Sequence, residues 1–306
     1  MPEPTDLLEI DVQDIEYLHH GSKVLLARLY LPRGRAPLAL LAELHGGAWC
    51  RGDRLDEDGL NRALARQGIG VAAFDFRQPP EAGYPASLLD IHCAIRWLKT
   101  QAPRLGARPE QVGVMGLSSG AHQAMLVAMR PHDPRYAALP LPGGELEDAR
   151  VACAILCWPV IDPLGRYHHA QALRASGQPY PAGIDRVIPD HERYWPSEQS
   201  MDEASPLRAL ERAEPVVLPP VLYLQGTADL MHPVAHLERF VQAYRDAGGE
   251  LTLAWYPGED AGFVNKRPDA PATAQAIADI VQFVRGRLAT SGASGTHESA
   301  RRDAAR

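Results

Sequence analysis

Short apolar runs alternate along this chain with amphipathic stretches, and that alternation restricts it to few architectures. Pro37–Glu43, Ile69–Phe76, Val112–Met115, Val151–Cys157 and Val221–Leu224 read as apolar, buried strands, and Leu251–Tyr256 as the last strand. Between them Glu57–Gln67, Ser87–Thr100, Ser119–Met129, Pro233–Ala247 and Ala272–Leu288 read as helices. Leu88, Ile91, Ile95 and Leu98 recur at helical spacing as one buried stripe, which leaves Asp90 on the polar face in a structural role. Gly68 and Gly248-Gly249 supply stops, and Pro131 ends the helix before it. Leu8–Ile15 and Lys23–Leu31 read as an antiparallel pair. The pattern predicts a mostly parallel sheet with helices on both faces.

Two segments break the alternation. Asp162–Ser205, rich in Pro, Gly, His and aromatic residues, interrupts the order after a strand and is expected to be a structureless lid. The small, polar residues from 289 to 306 are expected to be a disordered tail, leaving one domain over 1–288. An apolar content of 45% suffices for such a core, and the net charge of −7 comes without a basic stripe, which argues against nucleic acid as a partner. The acidic N-terminus lacks a signal-peptide pattern, and no apolar run approaches a membrane span. Cys50, Cys93, Cys153 and Cys157 have neither metal nor disulfide spacing, so a reducing cytoplasmic compartment is expected. His19-His20 and His168-His169 lack companion ligands, and no dinucleotide or phosphate loop occurs. No metal and no cofactor are expected.

Gly116-Leu117-Ser118-Ser119-Gly120 has the form G-x-S-x-G and lies between an apolar strand and a helix. That setting makes Ser118 a nucleophile pushed out of a tight turn beside a helix N-terminus. One strand–helix step earlier, His45-Gly46-Gly47-Ala48-Trp49 also follows a buried strand. Acyl transfer puts negative charge on a carbonyl oxygen, and main-chain N–H groups on such a loop can hold it. Gly46, Gly47, Ala48 and Ser119 are the candidate donors, with His45 bracing the loop. Sites built on such an elbow run serine, carboxylate, histidine in chain order. Asp229, in Gln225-Gly226-Thr227-Ala228-Asp229 after a strand, is the candidate carboxylate. The loop after the last strand, Tyr256 to Phe263, contains no histidine.

These motifs resemble the esterase/lipase group of α/β-hydrolase-fold proteins that includes hormone-sensitive-lipase-like esterases and kynurenine formamidases. The likeness spans about Pro37–Arg130 and Pro215–Leu288. His45-Gly46-Gly47-Ala48-Trp49 is similar to the family's His-Gly-Gly-x-Trp, and Asp75-Phe76-Arg77 to its Asp-Tyr-Arg. Pro109–Gly116 resembles the lead-in to its elbow. The closing segment resembles Pro-Gly-x-x-His-Gly-Phe with Ala261 where the family has its catalytic histidine. The resemblance implies a serine carboxylesterase acting on a small-molecule ester through an acyl-enzyme on Ser118.

Ala261 has three explanations: an engineered His→Ala change, a natural non-hydrolytic binder as gibberellin receptors are, or a base relocated to His122, His232 or His236. The otherwise intact site favours the first. Asp229 has to orient the base rather than neighbour it in sequence, which speaks against His232 and His236. The chain is thus expected to be an inactivated esterase. An amidase or arylformamidase with the same machinery, or a ligand receptor, are the alternatives. Trp49, Trp158, Tyr194 and Trp195 are the expected lining for an apolar or aromatic substrate. A homodimer is compatible with these features.

Overall fold

The computed structural model describes residues 7–143 and 147–291. A long hairpin begins it: β1 (Ile10–His20) pairs antiparallel with β2 (Lys23–Pro32), five residues beyond the expected end at Ile15. β3 (Leu40–Leu44), β4 (Gly70–Phe74), β5 (Val112–Leu117), β6 (Ala154–Cys157), β7 (Val221–Gly226) and β8 (Leu251–Tyr256) follow. The eight strands form one sheet in the order β1-β2-β4-β3-β5-β6-β7-β8. β2 joins β4 antiparallel, and every later pairing is parallel. β3 to β7 are buried along their whole length, which is why they read as continuous apolar runs.

The first helices are α1 (Asp58–Arg66), α2 (Ala86–Gln101) and α3 (Ser119–Met129). After β6 come α4 (Pro163–Ala175), α5 (Ile184–Tyr194), α6 (Glu198–Glu203) and α7 (Pro206–Glu211), then α8 (Val234–Asp246), α9 (Phe263–Lys266) and α10 (Pro271–Ser291). α1 and α10 cover one face, with Leu60, Leu64, Ile280 and Val284 against Val71, Met115 and Leu222. α2, α3 and α8 cover the other, with Leu88, Ile95, Leu126 and Phe240 against Ala42, Val114 and Tyr223. The predicted stripe on α2 is buried as read, but Asp90 is not on a polar face. It is fully buried, accepting from the main-chain N–H and guanidinium of Arg77 and contacting His20. A carboxylate leaves water only when it is paired in this way.

The insertion after β6 corrects a second expectation: it is helical through α4 to α7 and continues beyond Ser205 to Glu211. Asp162 fastens both of its ends. Its Oδ1 caps α4 by accepting from the Gly165 N–H at 3.1 Å, and also accepts from Ser205 Oγ at 3.2 Å and Arg208 Nε at 2.8 Å. Tyr194 and Trp195 from this cap join the main core. α10 runs past the expected boundary at 288, and residues 292–306 of the expected tail lie outside the described residues. No helix among the described residues is long and apolar enough to cross a membrane.

Candidate active site

Ser118 lies where β5 gives way to α3, with φ 52° and ψ −112°. A non-glycine residue reaches this conformation only when its surroundings enforce it. The flanking glycines explain how. A Cβ on Gly116 would lie 2.5 Å from the Gly120 backbone, and one on Gly120 would lie 2.1 Å from the Leu44 carbonyl oxygen at the end of β3. The turn therefore closes only with glycine on both sides. It leaves Ser118 half-buried at the carboxyl end of the sheet, ahead of the α3 N-terminus.

A histidine meets Ser118, and it is His232. Its Nε2 lies 3.1 Å from Ser118 Oγ, and its Nδ1 lies 2.8 Å from Asp229 Oδ2. Asp229 follows β7, and its Oδ1 accepts from the N–H groups of Met231 at 2.8 Å and His232 at 3.1 Å. The carboxylate thus folds its own loop into a turn that returns the imidazole to it. Gln225, at the end of β7, donates from its side-chain Nε2 to Oδ2 at 2.8 Å and fixes that oxygen as well. Burial pushes the Asp229 carboxyl up, but the charge and hydrogen bond of His232, with Gln225 and the Met231 N–H, draw it down to about 2. With Nδ1–H donated to Asp229, Nε2 is free to accept the Ser118 proton.

Two expectations fail here. Asp229 does not await a partner beside Ala261, because His232 occupies its carboxylate. Proximity in sequence did not bar His232 either: two intervening residues suffice when the carboxylate also holds the loop backbone. Ala261 packs half-buried against the apolar cluster under α10, and its carbonyl accepts from Lys266 Nζ at 2.6 Å. The other two candidate histidines are engaged elsewhere. His122 is fully buried between Trp49 Nε1 and the Ala204 carbonyl, and burial lowers its pKa to about 4. His236 is half-buried near Asp162.

The His45–Trp49 loop lies against the elbow: a Cβ on Gly46 would be 3.6 Å from Ser118 Cβ. His45 braces it, stacked on Phe76 at 4.3 Å with Nδ1 2.8 Å from the Gly46 carbonyl oxygen. The main-chain N–H groups of Gly46, Gly47, Ala48 and Ser119 have no acceptor among the described residues. Unpaired main-chain donors on a loop packed against a hydroxyl are suited to holding a developing oxyanion. The aromatic lining is a further correction. Trp49, Trp158, Tyr194 and Trp195 are all core residues, at most 3% exposed. Trp49 stacks on Tyr194 at 5.5 Å and meets Trp195 edge-on, while Trp158 packs on Phe263 under the opposite face. Bulky aromatics near strand ends bury themselves first.

The cap also reaches the Asp229–His232 loop. Arg166 on α4 donates from Nε to the Met231 carbonyl at 3.1 Å, and burial lowers its pKa to about 10. Cys50, beside the oxyanion loop, donates to the Asp190 carbonyl of α5, and burial raises its thiol to about 11. Among the described residues no group of three or more His, Cys, Asp or Glu side chains is gathered as metal ligands would be.

A family model for the alpha/beta hydrolase fold matches residues 41–265. Among curated proteins, the chain is 27% identical over 255 residues to a probable carboxylic ester hydrolase, LipM, of Mycobacterium tuberculosis, covering 81% of this chain and 55% of that protein. It is 27% identical over 263 residues to esterase LipQ of the same organism, covering 84% and 57%. The chain thus spans about half the length of these relatives. The hyperthermophilic esterase of Pyrobaculum calidifontis superposes with a TM-score of 0.71 at 23% identity, covering 90% of this chain and 85% of that one.

Proposed function

The chain belongs to the alpha/beta hydrolase fold family, and from that premise we propose that it is an active carboxylesterase whose nucleophile is Ser118 and whose base is His232. One observation carries the reading: the unbroken run from Ser118 Oγ through the His232 ring to Asp229, at 3.1 and 2.8 Å. The esterase names of the matched relatives support the ester as substrate class. The expectation of an inactivated chain rested on the lack of a histidine at 261, and His232 supplies what that position lacks.

In the proposed cycle, Ser118 Oγ attacks the ester carbonyl carbon as His232 Nε2 takes its proton. The carbonyl oxygen becomes an oxyanion held by N–H groups of the Gly46–Ala48 loop and of Ser119. Collapse of the tetrahedral intermediate breaks the bond to the alcohol, which leaves with the proton from His232. Water then attacks the acyl-Ser118 ester, His232 accepting its proton and returning one to Ser118 Oγ. Asp229 keeps the ring in the Nδ1–H tautomer and stabilises the imidazolium in both halves.

The test is a parallel assay of p-nitrophenyl acetate, p-nitrophenyl butyrate and N-formylkynurenine, with mass-spectrometric mapping of a fluorophosphonate adduct. Ester turnover exceeding formamide turnover, with the adduct on Ser118, is expected. Absence of both turnover and adduct would overturn the proposal, and preference for the formamide would replace esterase with arylformamidase.

A further inference from the structure

The oxyanion loop is folded in a conformation its own residues resist. Ala48 and Trp49 follow one another with φ of 52° and 62°, and the Cys50 N–H closes the turn on the Gly47 carbonyl at 3.1 Å. Positive φ at both central residues of a four-residue turn is the signature of type I′, which ordinarily calls for Asn-Gly. Alanine followed by tryptophan has no intrinsic preference for it, so the conformation must be imposed from outside.

Two side chains of α3 impose it. Ser119 Oγ accepts the Trp49 main-chain N–H at 3.1 Å, and His122 Nδ1 accepts the Trp49 indole Nε1–H at 3.1 Å. His122 is a competent acceptor because its Nε2–H is spent on the Ala204 carbonyl at 2.9 Å, and burial keeps the ring neutral. Ser119 and His122 are both fully buried. They lie on the helix that begins beside Ser118, so both halves of the oxyanion site, the loop N–H groups and that of Ser119, are referred to one rigid element.

We propose that Ser119 and His122 are positioning residues that hold the strained Gly47–Cys50 turn in register with Ser118, so that the loop N–H groups are aimed before substrate arrives. This rests on the carboxylesterase reading and adds a role to two side chains that the cycle above does not use. Neither side chain touches substrate, which in the proposed cycle meets only the Ser119 main-chain N–H. Each acts on Trp49, and Trp49 sets the loop.

Ser119→Ala and His122→Phe remove one acceptor each. At 15 °C, with folding checked by circular dichroism, each is expected to lower kcat on p-nitrophenyl butyrate roughly 10- to 100-fold while KM stays within about twofold. Affinity for a trifluoromethyl ketone, which forms the tetrahedral adduct, should weaken in the same ratio as kcat/KM. Hydrogen exchange of the peptide around Trp49 should accelerate in Ser119→Ala. A kcat within about twofold of wild type in Ser119→Ala, with only thermal stability reduced, overturns the proposal even if His122→Phe fails to fold. A wild-type protein that neither turns over esters nor labels at Ser118 overturns the esterase reading instead. In that case unaltered exchange at Trp49 in Ser119→Ala would overturn the tether as well.

Discussion

Asp229 and His232 are joined twice within one short loop: the carboxylate accepts from the His232 ring at 2.8 Å and from the His232 main-chain N–H at 3.1 Å, and it also accepts from the intervening Met231 N–H at 2.8 Å. The carboxylate therefore builds the loop that carries the imidazole. When the histidine comes from another loop, an acid orients it across a tertiary contact that packing must maintain. Here orientation is local, and packing has only to hold the loop against Ser118.

Loss of the base should be as severe as in any triad. His232→Ala is expected to lower kcat on p-nitrophenyl esters on the order of 10⁴-fold, because an unassisted serine hydroxyl is a poor nucleophile. A loss of less than about tenfold would mean that another group takes the Ser118 proton.

Ala261→His tests the same assignment from the other side. The loop from 257 to 262 runs beside the Asp229 loop, with the Ala228 N–H on the Glu259 carbonyl at 2.8 Å. A histidine added there would have to compete with His232 for a carboxylate that is already occupied. Steady-state assay of this variant should give no gain over wild type. A rise of several orders of magnitude would instead mean that the chain lacks a working base as it stands.

The sheet and the elbow were legible because each depends on local pattern. β5, Gly116, Ser118 and Gly120 are tied by backbone contacts that admit few alternatives. Serine, carboxylate and histidine even keep the expected chain order. The contact of His232 with Ser118 is harder to read, because the family position at Ala261 outweighs a local signal: aspartate followed three residues later by histidine, with a carboxylate able to cap the turn between them. The aromatic residues were misread because burial depends on what the cap covers. The cap's helices escape a sequence reading because α6 and α7 span only six residues each and Pro189 lies inside α5.

A buried acid pair should make stability pH-dependent. Glu43 on β3 and Glu57 before α1 are at most 5% exposed, and burial raises both carboxyls, that of Glu57 to about 7. Glu43 Oε2 accepts from Asn61 Nδ2 at 3.2 Å, while Glu43 Oε1 and Asn61 Oδ1 are both buried without partners. A proton on Oε1 would join them as a two-bond acid–amide pair. With pKa values raised on folding, the native state holds protons that the unfolded chain releases above about pH 4.3. This contribution to stability is complete below that pH and is lost as pH rises through the folded value, about 7 for Glu57. Melting temperature should therefore fall between about pH 5 and 8, and Glu43→Gln, which mimics the neutral acid, should flatten the fall. An equal slope in both proteins would mean that Glu43 is ionised throughout.

Arg166 predicts a separation of stability from activity. Its side chain is only 6% exposed, its Nη1 is buried without a partner, and no carboxylate lies within ion-pair distance among the described residues. The two acids whose charge it feels are committed: Asp229 to His232, and Asp190 to Arg51 through two hydrogen bonds. An unpaired buried cation destabilises a fold, and replacing such a group by an apolar side chain of similar length is commonly neutral or stabilising. What Arg166 does contribute is the 3.1 Å hydrogen bond to the carbonyl of Met231, the residue before His232. Arg166→Met should therefore raise or preserve the melting temperature while lowering kcat about tenfold, because the loop that aims His232 at Ser118 loses its anchor on the cap. Arg166→Lys, which keeps a donor, should recover part of the rate. Thermal melts and steady-state kinetics on the same preparations decide it: a variant that melts earlier with kcat unchanged would make Arg166 an ordinary structural residue and free the His232 loop from dependence on the cap.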